Sequence, residues 1–472
     1  MIPYLISPRF DGLYRRFGAA FFGLAIFLVF VAAGSLYLDP DFGWHLMAGD
    51  YIRAHGVPAH DIFTYTARNF PWIDHEWLND VIVSWLYGSV GYLGLGVIFG
   101  AIWTAAVVLA GRSRNWLLLF LAAMAMLPYA GIRPISWTVL FLVILERILS
   151  AKNKKLLWLT PPLFLLWANL HGGFLVGLAV VAAEASPRVR SELTLVFVSG
   201  ILVSFINPYG PRLYVELFRT LGDASLRYRV QEWEPFYFAL PTLLFICYTV
   251  ALYWFGERRK VKGVVSIPGA LLVAALLSSR NAPLFVVASI RKLEEYLGGL
   301  RAALPSRPGK KERRLLLALL AVPVLLSAYS LYSFFWPSGG GVSYPQQEVA
   351  YLKAHPCTGN LFNDYDFGGY LIWQLPGRPV YIDGRMPSWR YRGTDYYADF
   401  QRIYTDPAFL KEQFGRYDIR CALIETETIA PKDPVLGLLA ERSRKTPSLE
   451  AELLREGWRV RSRGPGTALL ER

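Results

Sequence analysis

The sequence predicts a polytopic α-helical membrane domain followed by an extracytoplasmic α/β domain. Three observations carry this. Apolar blocks of about 16–23 residues recur along the first two thirds, the length that crosses a hydrocarbon core of roughly 30 Å. Basic residues fall in every second loop between them. Beyond Trp336 the pattern changes to short strands alternating with short helices. The chain is 54% hydrophobic, above the roughly 45–50% of a soluble domain. Lipid-facing blocks must satisfy their own backbone hydrogen bonds, so the blocks are read as helices.

The first span is expected at Phe17–Leu38. Arg9, Arg15 and Arg16 precede it and place the N-terminus in the cytoplasm. No small-residue cleavage site follows the block, so it reads as a retained anchor. Residues 39–91 form a large first outer loop with two short helices, Phe42–Ala54 and Glu76–Tyr87. Their Trp44, Trp77 and Trp85 suit the headgroup level. Further spans are expected at Tyr92–Ala110, Trp116–Ala130, Trp137–Leu149, Leu156–Leu170, Phe174–Ala185, Leu193–Ile206, Phe238–Phe255, Val264–Leu277, Pro283–Leu297 and Leu315–Phe335. That makes about eleven. The cytoplasmic loops then hold Arg112 and Arg114; Lys152, Lys154 and Lys155; Arg188 and Arg190; Arg258, Arg259, Lys260 and Lys262; and Lys310, Lys311, Arg313 and Arg314. An odd span count puts the C-terminal domain outside. The expected division is therefore a membrane domain over 1–337 and a soluble domain over 338–472.

In the C-terminal domain the expected order is strand Asn360–Asn363, helix Gly368–Gln374, strand Val380–Asp383, helices Tyr396–Tyr404 and Pro407–Phe414, strand Cys421–Glu425, helix Leu449–Glu456 and strand Trp458–Arg461. Such alternation predicts a mostly parallel sheet covered by helices.

The net charge of +13 would suggest nucleic acid in a soluble protein. Here it lies in loops between apolar blocks and reads as topology and contact with anionic lipid. The sequence holds no zinc finger, RNA-recognition signature or basic region with heptads. Cys247 lies in an apolar block and reads as an inert core thiol. Cys357 and Cys421 either pair, if the domain faces an oxidising compartment, or remain as two thiols.

The first outer loop carries the strongest candidate chemistry. It opens Asp39-Pro40-Asp41-Phe42-Gly43-Trp44-His45-Leu46 and closes Trp72-Ile73-Asp74-His75-Glu76-Trp77-Leu78. Carboxylates at a membrane surface accept a proton from an attacking hydroxyl, or hold a divalent cation through oxygen. The alternative is that Asp39, Asp41 and Asp74 cap the two helices. In the C-terminal domain, Asp364, Asp366, Asp383 and Arg385 are expected at strand ends, where α/β folds place ligands. There, an Asp383–Arg385 ion pair is the plainer alternative.

These segments resemble the GT-C glycosyltransferase superfamily. They resemble more closely a group of bacterial multi-span proteins with D-P-D-x-x-W-H-L, R-P, N-L-H-G-G and N-P-Y-G motifs. Here those are Asp39–Leu46, Arg133-Pro134, Asn169–Gly173 and Asn207–Gly210, with Asn363–Leu371 and Ile382–Arg385 in the C-terminal part. The resemblance implies transfer of a hexose or pentose from a polyprenyl-phosphate carrier to an extracytoplasmic glycan, lipid or protein acceptor, in a plasma (inner) membrane and cell-envelope setting. It implies Asp41 as the catalytic carboxylate, acting as general base or helping to bind a metal, with Asp39 second. Here Pro40 separates two acids that the superfamily often places side by side. Substrate binding would fall to His45, Asp74, His75, Glu76, Arg133, His171 and Arg280. A divalent Mg or Mn would take Asp41 and Glu76 as ligands. Arg133 and Arg280, at outer span ends, suit a carrier phosphate or snorkelling. His171 suits the same phosphate or a helix break, and Gln231–Glu234 could add an acid. A lipid-linked-sugar flippase and a cell-envelope scaffold are the rival readings.

Overall fold

The computed structural model describes residues 8–112, 115–184, 191–256, 266–303, 309–310, 325, 327–329, 331–332, 344–426 and 449–472. Most of the expected span Leu315–Phe335 lies outside these residues. So do Arg114, Arg188, Arg190, the basic run at 258–262, and the Lys311, Arg313 and Arg314 group.

The described helices of the first 303 residues are α1 (Pro8–Leu36), α2 (Phe42–His55), α3 (Trp77–Ala110), α4 (Trp116–Met126), α5 (Ile135–Leu149), α6 (Thr160–Leu170), α7 (Phe174–Glu184), α8 (Ser191–Ser204), α9 (Arg212–Gly222), α10 (Leu226–Arg229), α11 (Leu240–Gly256), α12 (Ile267–Leu277) and α13 (Ala282–Ala303). The C-terminal part adds α14 (Gln346–Ala354), α15 (Gly368–Gln374), α16 (Tyr396–Ile403), α17 (Pro407–Arg416) and α18 (Leu449–Arg455). Its strands are β1 (Asn360–Asn363), β2 (Arg390–Tyr391), β3 (Thr394–Asp395), β4 (Ile419–Glu425), β5 (Arg459–Gly464) and β6 (Thr467–Glu471).

The chain forms two compact units. The first gathers Met1–Leu38, Ser89–Pro211 and Arg227–Phe335. Two described helices are long and apolar enough to cross a membrane: Phe17–Leu36 within α1, and α3. Five shorter apolar segments of 10–17 residues accompany them. On α1 the exposed Phe17, Phe21, Leu24 and Leu28 recur at helical spacing and mark an outward stripe. Its other face packs on α3 through small residues. A Cβ on Gly34 would stand 3.0 Å from Gly96 Cα, and one on Gly100 would meet the Val31 backbone at 2.8 Å. Small residues let two helices approach this closely. Inside the unit, Trp103 is fully buried, stacks on Phe30 and donates its indole N–H to the Gly131 carbonyl. Cys247 is exposed rather than a core thiol, because Phe245, Ile246 and Thr249 take the inner face of α11.

The second expected juxtamembrane helix and the span expected after it are two helices that meet at a break within α3: the backbone at Gly91 is non-helical, with a φ of 66° that suits a residue without a side chain.

The second unit gathers Asp39–Gly88, Arg212–Leu226 and Trp336–Arg472. Its four-stranded sheet has the order β1-β4-β6-β5. Only β1 and β4 are parallel; β4–β6 and β5–β6 are antiparallel. The expected mostly parallel sheet is thus corrected. The chain closes with a strand beyond the one expected at Trp458–Arg461, and a tight turn at Pro465-Gly466 returns it beside β5. Two strands joined so tightly pair only antiparallel.

The expected strand Val380–Asp383 is also corrected. Val380 makes one parallel bridge, to Thr64 of the first outer loop. Beyond it, the Asn363 side chain replaces a strand partner. Its amide donates to the Ile382 carbonyl and its oxygen accepts the Tyr381 N–H, both at 2.8 Å.

The core of this unit includes Leu361, Phe362, Ala422, Leu423, Ile424, Leu469 and Leu470. The first outer loop is part of it. Tyr65 donates its hydroxyl to the Leu361 carbonyl, and Thr66 donates to that of Tyr381. Cys357 and Cys421 form a disulfide, which ties the chain before β1 to β4.

Candidate active site

Three sequence motifs, far apart in the chain, meet in the second unit. The Asp39–Leu46 segment starts α2, Gly368-Gly369 starts α15, and Asp383–Arg385 forms the turn after residue 382. Glycines make the meeting close. A Cβ on Gly43 would stand 2.0 Å from the Gly369 carbonyl oxygen, and one on Gly369 would stand 2.1 Å from that of Pro40. A Cβ on Gly384 would stand 1.8 Å from Asp41 Oδ1.

The two leading acids divide their work. Asp39 Oδ1 accepts the Asp41 N–H at 2.9 Å, and the Asp39 carbonyl accepts the Phe42 N–H, so Asp39 organises the start of α2. Asp41 is the residue at the helix cap, yet its side chain makes no capping hydrogen bond. Instead its Oδ1 accepts the Trp44 indole N–H at 2.8 Å. Helix-capping chemistry therefore accounts for Asp39 but leaves the Asp41 carboxylate turned to other groups.

Behind α2 lies a buried cluster. His45 Nδ1 pairs with Asp80 Oδ1 at 2.6 Å, and Asn79 donates to the same oxygen. His45 Nε2 and His75 Nε2 approach the two oxygens of Glu76 at 3.8 and 3.7 Å. Asp74 Oδ1 accepts the Glu76 N–H, which is capping work at the start of α3. Burial, then the neighbouring Asp80 charge, holds the Asp74 carboxyl well above the usual range. Oδ2 of Asp74 and Oδ2 of Asp80 are buried without a donor, and the two carboxyls lie against each other. A proton shared between the two would supply the missing donor. Asp80 was not apparent as a site residue in the sequence, since it sits within an apolar helix.

Arg385 is the centre of a second cluster. It donates to Asp383 through Nε at 2.8 Å and Nη2 at 2.6 Å, and to Asp61 through Nη2 at 2.7 Å. Its side chain is 3% exposed and both carboxylates are fully buried. The rings of Trp72, Phe63, Trp389 and Trp44 surround the guanidinium, with centroids 4.3, 5.0, 5.0 and 5.9 Å away. The plainer alternative for Asp383 and Arg385, an ion pair, is what forms. Asp61 was missed; its one local signal is an acid three residues before Thr64, whose N–H and hydroxyl it accepts.

Asp364 sits at the end of β1 and accepts hydrogen bonds from the Tyr404 hydroxyl and the Glu425 N–H. Burial still pushes its carboxyl up to about 6, and burial with the Asp364 charge lifts Glu425 to about 7. Burial also raises Asp366.

The remaining candidates belong to the first unit. Arg133 Nη1 pairs with Glu232 at 2.5 Å, and Arg280 lies 4.7 Å from the Trp233 ring. Enclosure opposes ionisation of Glu232, but Arg133 and then Arg280 outweigh it and hold its carboxyl below the usual range. Two guanidiniums about one carboxylate leave local positive charge. His171 Nδ1 meets the Thr138 hydroxyl at 2.7 Å and accepts the Gly173 N–H at 3.0 Å. Trp167 donates to the same hydroxyl. His171 thus organises the break between α6 and α7. In the N-P-Y-G segment, Asn207 bonds Ser204 and Tyr209 and closes α8.

Among the described residues no three His, Cys, Asp or Glu side chains gather as a ligand set for a metal ion. The neighbours of Asp41 described above are Trp44 and Gly384, whereas Glu76 lies with His45 and His75.

A helical N-terminal region followed by an α/β domain with a sheet is a fold similar to that of solved archaeal oligosaccharyltransferase structures. The archaeal oligosaccharyltransferase AglB from Archaeoglobus fulgidus, in complex with an inhibitory peptide and a dolichol-phosphate, is similar at a TM-score of 0.54 and 13% identity, over 87% of this chain and 70% of that one. The oligosaccharyltransferase of the same organism in the apo form gives 0.57 and 12% over the same shares. Tethered to an acceptor peptide containing the NVT sequon, it gives 0.53 and 12% over 88% and 70%. At such identity the likeness shows the fold. No protein-family model matches the sequence, and no curated protein matches it.

Proposed function

We propose that the chain is a membrane glycosyltransferase that moves a sugar from a polyprenyl-phosphate carrier to an extracytoplasmic acceptor, with Asp41 as general base. The observation that carries this is the Asp41 side chain. It sits at a helix start, makes no capping bond there, and is oriented by an indole N–H. A carboxylate so held can take the proton of an attacking hydroxyl. As the proton passes to Asp41, the acceptor oxygen bonds the anomeric carbon from the far side. The carbon–oxygen bond to the carrier phosphate breaks with inversion, and the phosphate leaves with the electron pair. A neighbour of the same fold is in complex with a dolichol-phosphate and an inhibitory peptide, which supports a lipid-linked donor.

The proposed topology has eleven spans, a cytoplasmic N-terminus and the C-terminal domain outside, in a bacterial plasma (inner) membrane. The Cys357–Cys421 disulfide supports it, because such bonds persist in oxidising compartments. The reading is tested by incubating purified protein with a panel of polyprenyl-phosphate sugars and acceptors and measuring released carrier. Turnover supports the transferase. Movement of the intact lipid between leaflets, with no release, would mark a flippase, and neither activity would mark a scaffold.

A further inference from the structure

We infer that the turn Asp383-Gly384-Arg385 positions the Asp41 carboxylate, so that the C-terminal part of the chain completes the reaction site rather than hanging beside it. The inference rests on reading Asp41 as the base.

Among the contacts of the Asp41 side chain, two lead back to this turn. The first is with Gly384 itself. Its backbone lies so close that any Cβ would fall 1.8 Å from Asp41 Oδ1. Gly384 is not at positive φ, so nothing in its own backbone calls for glycine; the approach of the carboxylate does. The second contact is the Trp44 indole N–H on the same oxygen. The Trp44 ring is one of the four about the Arg385 guanidinium.

The turn is itself held from several sides. Arg385 donates its N–H and Nε to Asp383 Oδ1, and Nη2 ties it to Asp61 in the first outer loop. Tyr365, two residues beyond β1, donates its hydroxyl to the Gly384 carbonyl at 3.2 Å. Arg385 Nη1 is buried and donates to no partner among the described residues. A buried guanidinium shared by two carboxylates is a poor source of stability compared with an apolar core. Such a network fixes geometry, and here the geometry it fixes is that of Gly384 against Asp41.

Gly384→Ala in the full chain tests this. Hydrogen exchange of the peptide amides at 39–46 should accelerate in Gly384→Ala. It should not accelerate further when the same change is made in an Asp41→Ala background, where no carboxylate remains to collide with. In the transfer assay Gly384→Ala should lower kcat by about 10²-fold, the scale of a misplacement near 1 Å, with KM for the donor within about twofold. Combined with Asp41→Asn it should add nothing. Tyr365→Phe inserts no atom and serves if the alanine variant does not fold; it should move both readouts in the same direction by less. Equal exchange changes in both backgrounds, or additive kinetic losses, would overturn the inference. If the parent protein releases no carrier from any donor, the transferase reading fails by itself, and the exchange comparison still decides the positioning.

Discussion

Trp44 donates its indole N–H to Asp41 at 2.8 Å, three residues along the same chain segment. One helix turn therefore supplies both the carboxylate and the donor that aims it. The pairing also explains why Trp stands at this point of the Asp39–Leu46 segment: its N–H serves Asp41 while its faces meet His45 and Arg385.

Trp44→Phe keeps a ring between His45 and Arg385 but removes the N–H. A hydrogen bond to a charged group contributes about 1.5–3 kcal/mol, so kcat should fall about ten- to a hundredfold while the thermal midpoint changes little. Steady-state kinetics beside a melting curve checks this. An unchanged kcat would mean that the indole does not orient the base.

Asp364 and Glu425 make the C-terminal domain sensitive to pH. Both carboxyls are raised, to about 6 and about 7. Between the usual carboxylate range near 4 and those values, the folded domain holds protons that the unfolded chain releases. Stability from this pair is thus complete below about pH 4 and is lost as pH rises through 6 and 7. The fall in melting temperature between pH 5 and pH 8 should shrink in Asp364→Asn. The same fall in both proteins would refute the assignment.

The Cys357–Cys421 bond closes a 64-residue separation. Cys357→Ser should cost about 2–4 kcal/mol of domain stability, read from chemical denaturation. In the parent chain, denatured without reductant, alkylation should label Cys247 alone. Three labelled thiols would contradict the bond and the oxidising location it supports.

The sequence made much of this visible and hid the rest for physical reasons. The two outer-loop helices, the acids at the head of the first and the strand–helix alternation after residue 336 all leave local patterns. Gly384 against Asp41 does not, because a contact across more than three hundred residues has no periodicity. The sheet was misjudged at two places. Val380–Asp383 reads as an apolar strand, yet its backbone is satisfied by Asn363 and the first loop. The final strand β6 follows a Gly-Pro-Gly turn, and that hairpin makes the sheet mixed. Likewise α9 falls between two expected spans and had no assignment in the sequence. In the second unit Arg219 of α9 lies 5.4 Å from the Phe70 ring, and Arg390 bonds Asp223 and Ser225 just beyond the helix end, contacts that leave no local pattern.

The most direct measurement is carrier release from a polyprenyl-phosphate sugar by the parent protein and by Asp41→Asn, purified side by side. The account predicts turnover in the first. It predicts a loss of about 10²–10⁴-fold in the second, with the melting temperature and donor binding retained. Equal turnover in the two proteins would contradict it.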